Sequence, residues 1–165
     1  MVILYRSILN GAEVLSDAFP AKELENGQVF AVKSEIVLKS ALKLDMGDAD
    51  EVEDKDERVN NVGDTFQYTD AGVNEDNFMA LWKDYIQSLM AKFKENKKSE
   101  DEIKKFQEAV KAITQKIKAN LKKYEFFNVD YEEKSALIPA YWEDEENDKG
   151  PTFLYFTAAF TKEKV

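Results

Sequence analysis

Hydrophobic positions along this chain change period twice. Up to about residue 40, the short runs VILY, QVFAVK and EIVLK are rich in β-branched and bulky residues and are separated by NGAE, Pro20 and ENG. That alternation of apolar runs and turn residues predicts short strands. From Asn74 the spacing becomes three and four: Phe78, Leu81, Trp82, Tyr85, Leu89 and Phe93 fall on one face of a helix. Asn74, Glu75 and Asp76 supply its N-cap and acidic first turn. Ser99 followed by Glu102 has the form of a capping box and opens a second stripe of Ile103, Phe106, Val110, Ile113, Ile117, Leu121 and Tyr124. Only ENKKSED joins the two, which predicts an antiparallel helical hairpin over about 74–123. Beyond it EFFNV, KSALIPAYW and TFLYFTAAF read as a meander of strands. The last is apolar on both faces and so interior, whereas Pro139 marks an edge or bulge in its own strand. The aromatic residues, Trp82 and Trp142 included, read as core.

Between the first strands and the hairpin the pattern lapses. Asp45, Asp48, Asp50, Glu51, Glu53, Asp54, Asp56 and Glu57 crowd into a segment, 43–62, with almost no bulky apolar side chain. Such a run buries too little surface to offset its ordering entropy, so it predicts an acidic loop mobile on the nanosecond timescale. An EF-hand needs acidic or amide ligands at its first, third and fifth positions and glycine at the sixth. Counted from Asp48, Asp50 fits the third position, but Val52 and Glu53 stand where the fifth ligand and the glycine belong. Weak, diffuse calcium binding is what this spacing offers.

Composition narrows the function. A chain of 165 residues, 44% hydrophobic, can bury one core and predicts a single domain over 1–165. Its net charge of −10 repels phosphates and argues against a nucleic-acid partner. There is no cysteine, which excludes disulfides, thiolate nucleophiles and sulfur-ligated zinc. There is no histidine either, so the usual base near neutral pH and the commonest transition-metal ligand are missing. No catalytic constellation or phosphate-binding glycine pattern emerges, and a carboxylate-dependent hydrolase is the one enzymatic alternative the residues permit. Arg6 interrupts the apolar start and no run reaches the length of a membrane span, which predicts a cytoplasmic protein without membrane insertion.

Charge is also uneven. Between Lys83 and Lys123 twelve lysines face six acidic residues, a local charge of +6 on a chain of −10. Lysines ordinarily solvate the outer faces of amphipathic helices. At the expected tip, Lys94, Lys97 and Lys98 are also candidates for contact with an acidic surface such as the tails of tubulin.

Where the basic helix ends, NLKKYEFF resembles the segment NFKNYQFF of the translationally controlled tumour protein family. MVILYRS resembles that family's opening MIIYRD, EVLSD at Glu13–Asp17 its E-x-x-SD, and DTFQYT the FQ or LQ segment before its first helix. Two segments depart. Asn128, Val129 and Asp130 stand where the family carries a hydrophobic residue, glycine and glutamate, and MGDADEVED replaces a GNPSAE-like signature. The chain is therefore identified as a divergent member. The resemblance implies an α+β fold, a twisted β-tent like that of small-GTPase chaperones with a projecting antiparallel helical hairpin and a mobile acidic loop. It further implies a non-enzymatic protein that binds calcium, associates with microtubules and regulates Ras-like small GTPases, with roles in growth. Glu13 matches the glutamate of E-x-x-SD that the family turns toward its GTPase.

Overall fold

Runs too short to bury a face alone must pair, and in this chain they pair into three antiparallel sheets. The computed structural model describes residues 2–39, 58–129 and 136–165. In chain order its strands are β1 (Ile3–Ser7), β2 (Glu13–Ser16), β3 (Ala21–Leu24), β4 (Val29–Lys33), β5 (Ile36–Leu38), β6 (Arg58–Asn60), β7 (Tyr68–Asp70), β8 (Tyr124–Val129), β9 (Ile138–Tyr141), β10 (Thr152–Phe156) and β11 (Phe160–Lys164). The helices are α1 (Asn61–Thr65), α2 (Phe78–Glu95) and α3 (Glu100–Ala119). One sheet has the order β11-β1-β2, a larger one β3-β4-β10-β9-β8-β7, and β5 pairs with β6. The expected meander is the run β8-β9-β10, and β10 is interior with every residue buried.

Its two apolar faces serve two layers. Phe156 packs against Trp82 and Phe106 of the helices. Phe153 meets Tyr68 and Phe127, and Tyr155 meets Phe160 of the smaller sheet. On α2 the buried residues are Phe78, Trp82, Tyr85, Leu89 and Phe93, and on α3 they are Phe106, Ala109, Ile113 and Ile117. Trp82 Nε1 donates to Thr114 Oγ1 at 2.8 Å, and the rings of Phe93 and Phe106 meet edge to face at 4.8 Å. Early α2 thus meets late α3 and late α2 meets early α3, the antiparallel hairpin expected from the two stripes. Each large side chain so buried stabilises the fold by roughly 1.5–3 kcal/mol.

Capping sets the helix ends. Ser99 Oγ accepts from the N–H of Glu102, as the capping box requires. Asn74 does not open α2 itself: its Oδ1 accepts from the N–H groups of Asp76 and Asn77, forming a turn from which the helix starts at Phe78. At the other end of α2, Lys97 has φ of 56°, its N–H reaches the Lys94 carbonyl, and the Lys98 N–H reaches Phe93. This is a Schellman motif with lysine where glycine is usual.

Several expectations are corrected. Residues 40–57, most of the acidic segment and with it the mobility and calcium expectations, lie outside the described residues. Its last residues are not loop: Arg58–Asn60 pair with β5, Val62 is fully buried, and Asn60 Oδ1 caps α1 by accepting from Val62 and Gly63. Two valines in an otherwise polar stretch suffice once a neighbouring strand and the larger sheet are there to meet them. NGAE is only partly turn, because Glu13 begins β2. Pro139 lies in an interior strand; β9 pairs with β10 only at Ala140 and Tyr141, so the proline sits beyond the end of that ladder and no donor is missed. Trp142 is not core but 37% exposed, just past the end of β9.

One buried group is unsatisfied. Thr152 is 1% exposed, and its Oγ1 has no hydrogen-bond partner among the described residues. Thr152→Val should therefore raise stability by about 1 kcal/mol, since it removes a desolvated hydroxyl while keeping the branched shape. Urea unfolding checks this: the midpoint should rise with an unchanged slope, and a lowered midpoint would show that the hydroxyl is paired.

Candidate functional site

The larger sheet is covered by the hairpin on one face and only in part by the smaller sheet on the other. Tyr5 against Phe30 and Phe160 against Tyr155 mark the covered part. Beside it opens a cleft of about 920 Å³. Phe127, Val129 and Phe153 line it from the sheet, Asn60, Gly63, Asp64 and Phe66 from β6 and α1, and Arg6, Ala12 and Glu13 from the smaller sheet, with Ile36 and Trp142 exposed along it.

Glu13 reaches this cleft because of strand register. Tyr5 pairs with Leu15 but Arg6 pairs with Glu13, so Val14 is an extra residue, a β-bulge. Arg6 and Glu13 are thereby direct cross-strand neighbours, and Arg6 Nη2 donates to Glu13 Oε1 at 3.3 Å. Arg6 Nε also bonds Glu163 of β11, and Nη1 donates to the carbonyl of Gly11, whose φ of 78° suits glycine at the β1–β2 turn. Hydrogen bonding to Glu163 is the main cause that raises the Arg6 guanidinium further above its ordinary value. One cation thus serves two carboxylates.

The bulge residue is held from below. Tyr68 donates its hydroxyl proton to the carbonyl of Val14 at 2.7 Å, and the Tyr155 hydroxyl lies 2.7 Å from the Tyr68 hydroxyl oxygen. A carbonyl only accepts, so Tyr155 must be the donor to Tyr68. Burial pushes both phenols well above the ordinary value of 10.0, with the neighbouring phenol adding to the rise at Tyr155. These hydroxyls are committed to structure, and the cleft lining offers binding chemistry: an aromatic floor, backbone at strand edges and the carboxylates of Glu13, Asp64 and Glu125.

The lysines lie on the other side. Lys94 and Lys97 are exposed at the end of α2 and take part in no ion pair among the described residues. Lys98 is different: its Nζ stands 5.3 Å over the Phe93 ring and 3.8 Å from Glu102, so reversing its charge would disturb the apolar stripe as well as the surface. Exposed Lys104, Lys111 and Lys118 form a row at heptad spacing on α3, away from buried Phe106, Ile113 and Ile117. The fold therefore does not bring Glu13 and the tip lysines together; the larger sheet separates them. Sequence reading missed Arg6, taken only as an interruption of apolar residues, and Trp142, whose aromatic character suggested the core. The family-like opening around Arg6 was the available signal.

Comparison with known proteins matches residues 1–161 to the model of the family described as translationally controlled tumour protein. Among solved structures, the chain resembles the translationally controlled tumor-associated protein of Schizosaccharomyces pombe, at 24% identity and a TM-score of 0.74 over 99% of both chains. It also resembles the solution structure of the translationally controlled tumor protein of Caenorhabditis elegans, at 18% identity and a TM-score of 0.67 over 99% of this chain and 98% of that one. These likenesses establish the α+β fold with its antiparallel sheets and helical pair.

Tyr68→Phe should cost about 1–3 kcal/mol, because it strands the Val14 carbonyl and removes the acceptor of Tyr155. Tyr155→Phe should cost less, since Tyr68 keeps its bond to Val14, and the double variant should cost less than the two singles added. Because folding raises both phenol pKa values, the native state holds their protons above pH 10.0 while the unfolded chain releases them. Stability should thus be full below pH 10 and fall above it, less steeply in the double variant. Denaturant melts followed by tyrosinate absorbance test both statements.

Proposed function

The chain belongs to the translationally controlled tumour protein family, a non-enzymatic family, and we propose that it acts in the cytoplasm as a regulatory interaction protein that associates with microtubules through its helical hairpin. The observation carrying this reading is the set of exposed lysines that take part in no ion pair among the described residues, at the tip and along the outer side of α3, on a protein of net charge −10. An acidic tubulin tail meeting that side would be attracted locally while the acidic remainder is held away. Among the described residues no helix is long and apolar enough to cross a membrane. Calcium enters this reading as a weak ligand of the acidic segment, on sequence grounds alone.

Such association is electrostatic and should be salt-sensitive. Screening lengths shrink from about 10 Å at 0.1 M salt to about 3 Å at 1 M, so microtubule co-sedimentation should fall steeply over that range. Lys94→Glu combined with Lys97→Gly should weaken it about tenfold at low salt, three charges at roughly 0.5 kcal/mol each. Glycine also relieves the left-handed backbone at Lys97, and Lys98 is left in place on Phe93. Arg58→Gln, on β6, should have little effect. Undiminished co-sedimentation of the tip variant would reduce its lysines to a solvated face.

A second reading is favoured by Glu13. Its carboxylate lies at the cleft, and Arg6 has Glu163 to fall back on. A cation of a Ras-like small GTPase can therefore take Glu13 without leaving Arg6 unpaired. Glu13→Val should lower GTPase binding at least tenfold in a folded protein; unchanged binding would end this reading.

A further inference from the structure

We propose that the cleft beside Glu13 receives an extended segment of a protein partner in which an aromatic or aliphatic anchor is flanked by lysine or arginine; this rests on the reading that Glu13 faces a partner.

Size, composition, charge and strand edges all point to that occupant. At about 920 Å³ the cleft matches a binding site for several side chains. Phe127 and Phe153 line it, and Trp142 and Ile36, each 37% exposed, leave apolar surface in water beside it. A half-exposed tryptophan next to aromatic surface is the composition of an interface anchor.

Charge selects the flanking residues. Glu13, Asp64 and Glu125 line the cleft, whereas its one lining cation among the described residues, Arg6, is already shared between Glu13 and Glu163. The surplus is negative, so a phosphate-rich ligand is repelled and a lysine or arginine side chain is drawn in.

Backbone selects the conformation. β2 ends the smaller sheet and β7 ends the larger one, and both line the cleft, through Ala12 and Glu13 on one side and Tyr68 and Thr69 on the other. Terminal strands present backbone groups that an extended chain satisfies and a helix does not.

The test titrates isotope-labelled protein with the capped peptide Thr-Phe-Lys-Phe-Lys-Val-Lys-Thr. A second peptide carries glutamate for each lysine, and a third carries serine for phenylalanine and valine. With the first, the Trp142 indole N–H and the amides of Gln67, Thr69 and Glu125 should shift; with the other two they should not. Trp142→Ala and Glu125→Lys, each verified as folded, should weaken binding about tenfold, while Lys104→Glu on α3 should change it less than about twofold. Shifts confined to the hairpin, equal response to all three peptides, or undiminished binding by the Trp142 and Glu125 variants would overturn the proposal. GTPase binding measured in parallel separates the two readings. If Glu13→Val abolishes it while peptide binding never reaches the cleft, the GTPase contact stands and the peptide site falls. If the peptide maps to the cleft while Glu13→Val leaves GTPase binding intact, the peptide site stands with a different partner.

Discussion

The hydroxyl of Tyr68 is the point at which the two larger sheets are fixed to one another. It belongs to β7, gives its proton to the Val14 carbonyl of β2 and accepts from Tyr155 of β10, so one oxygen ties strands from opposite sides of the interface. The bond is made to Val14, the extra residue of a bulge. In a regular ladder that position would stand opposite a β1 residue and Glu13 would point to the other side of the strand. Fixing Val14 thus fixes the direction of Glu13, and with it the pairing to Arg6. The enclosed geometry also explains why these phenols hold their protons so firmly: an ionised oxygen there would lose its solvation and face a carbonyl dipole of the same sign.

From that junction the molecule divides by face. Across β10, Phe156 is committed to the hairpin and Phe153 and Tyr155 to the tyrosine junction and cleft. The hairpin is held by its own stripe and by the sheet, leaving its outer side free to carry charge without cost to the core. Its lysines and the cleft carboxylates are therefore on opposite sides of an apolar layer, where they do not neutralise one another. A protein without histidine or cysteine gains two chemically distinct surfaces by this separation alone, one carrying lysines and one carrying carboxylates.

What was legible in the sequence follows the range of the interactions concerned. The stripes of α2 and α3 were readable because helical burial repeats every three or four residues within one element, and Ser99 announced its helix because a cap is local. The interior position of β10 showed in its own two-faced composition. The Val14 bulge, the strand Arg58–Asn60 and the ladder end at Pro139 did not show, because each depends on which distant strand lies alongside. Trp142 was misplaced for a related reason: composition reports that a side chain is apolar, not whether the layer above it is complete. Glu13 became a candidate through resemblance, and nothing in its neighbours along the chain reveals that Glu163 would share Arg6 with it.

The departures from the family pattern fall at an informative place. Asn128 and Val129 close β8 opposite Thr69 and Tyr68, and Val129 lines the cleft. Asn128 Oδ1 accepts from the N–H of Ala136, and its carbonyl accepts from Thr69 Oγ1, so this asparagine stabilises both the strand end and its neighbour. A glycine in place of Val129 would leave the strand end with more backbone freedom and the cleft with one apolar side chain fewer. The sequence has thus changed the surface of the cleft at a point where the ladder beneath it is kept. With the fold held by the tyrosine junction and the hairpin, the chemistry of the cleft is set by the residues that line it here.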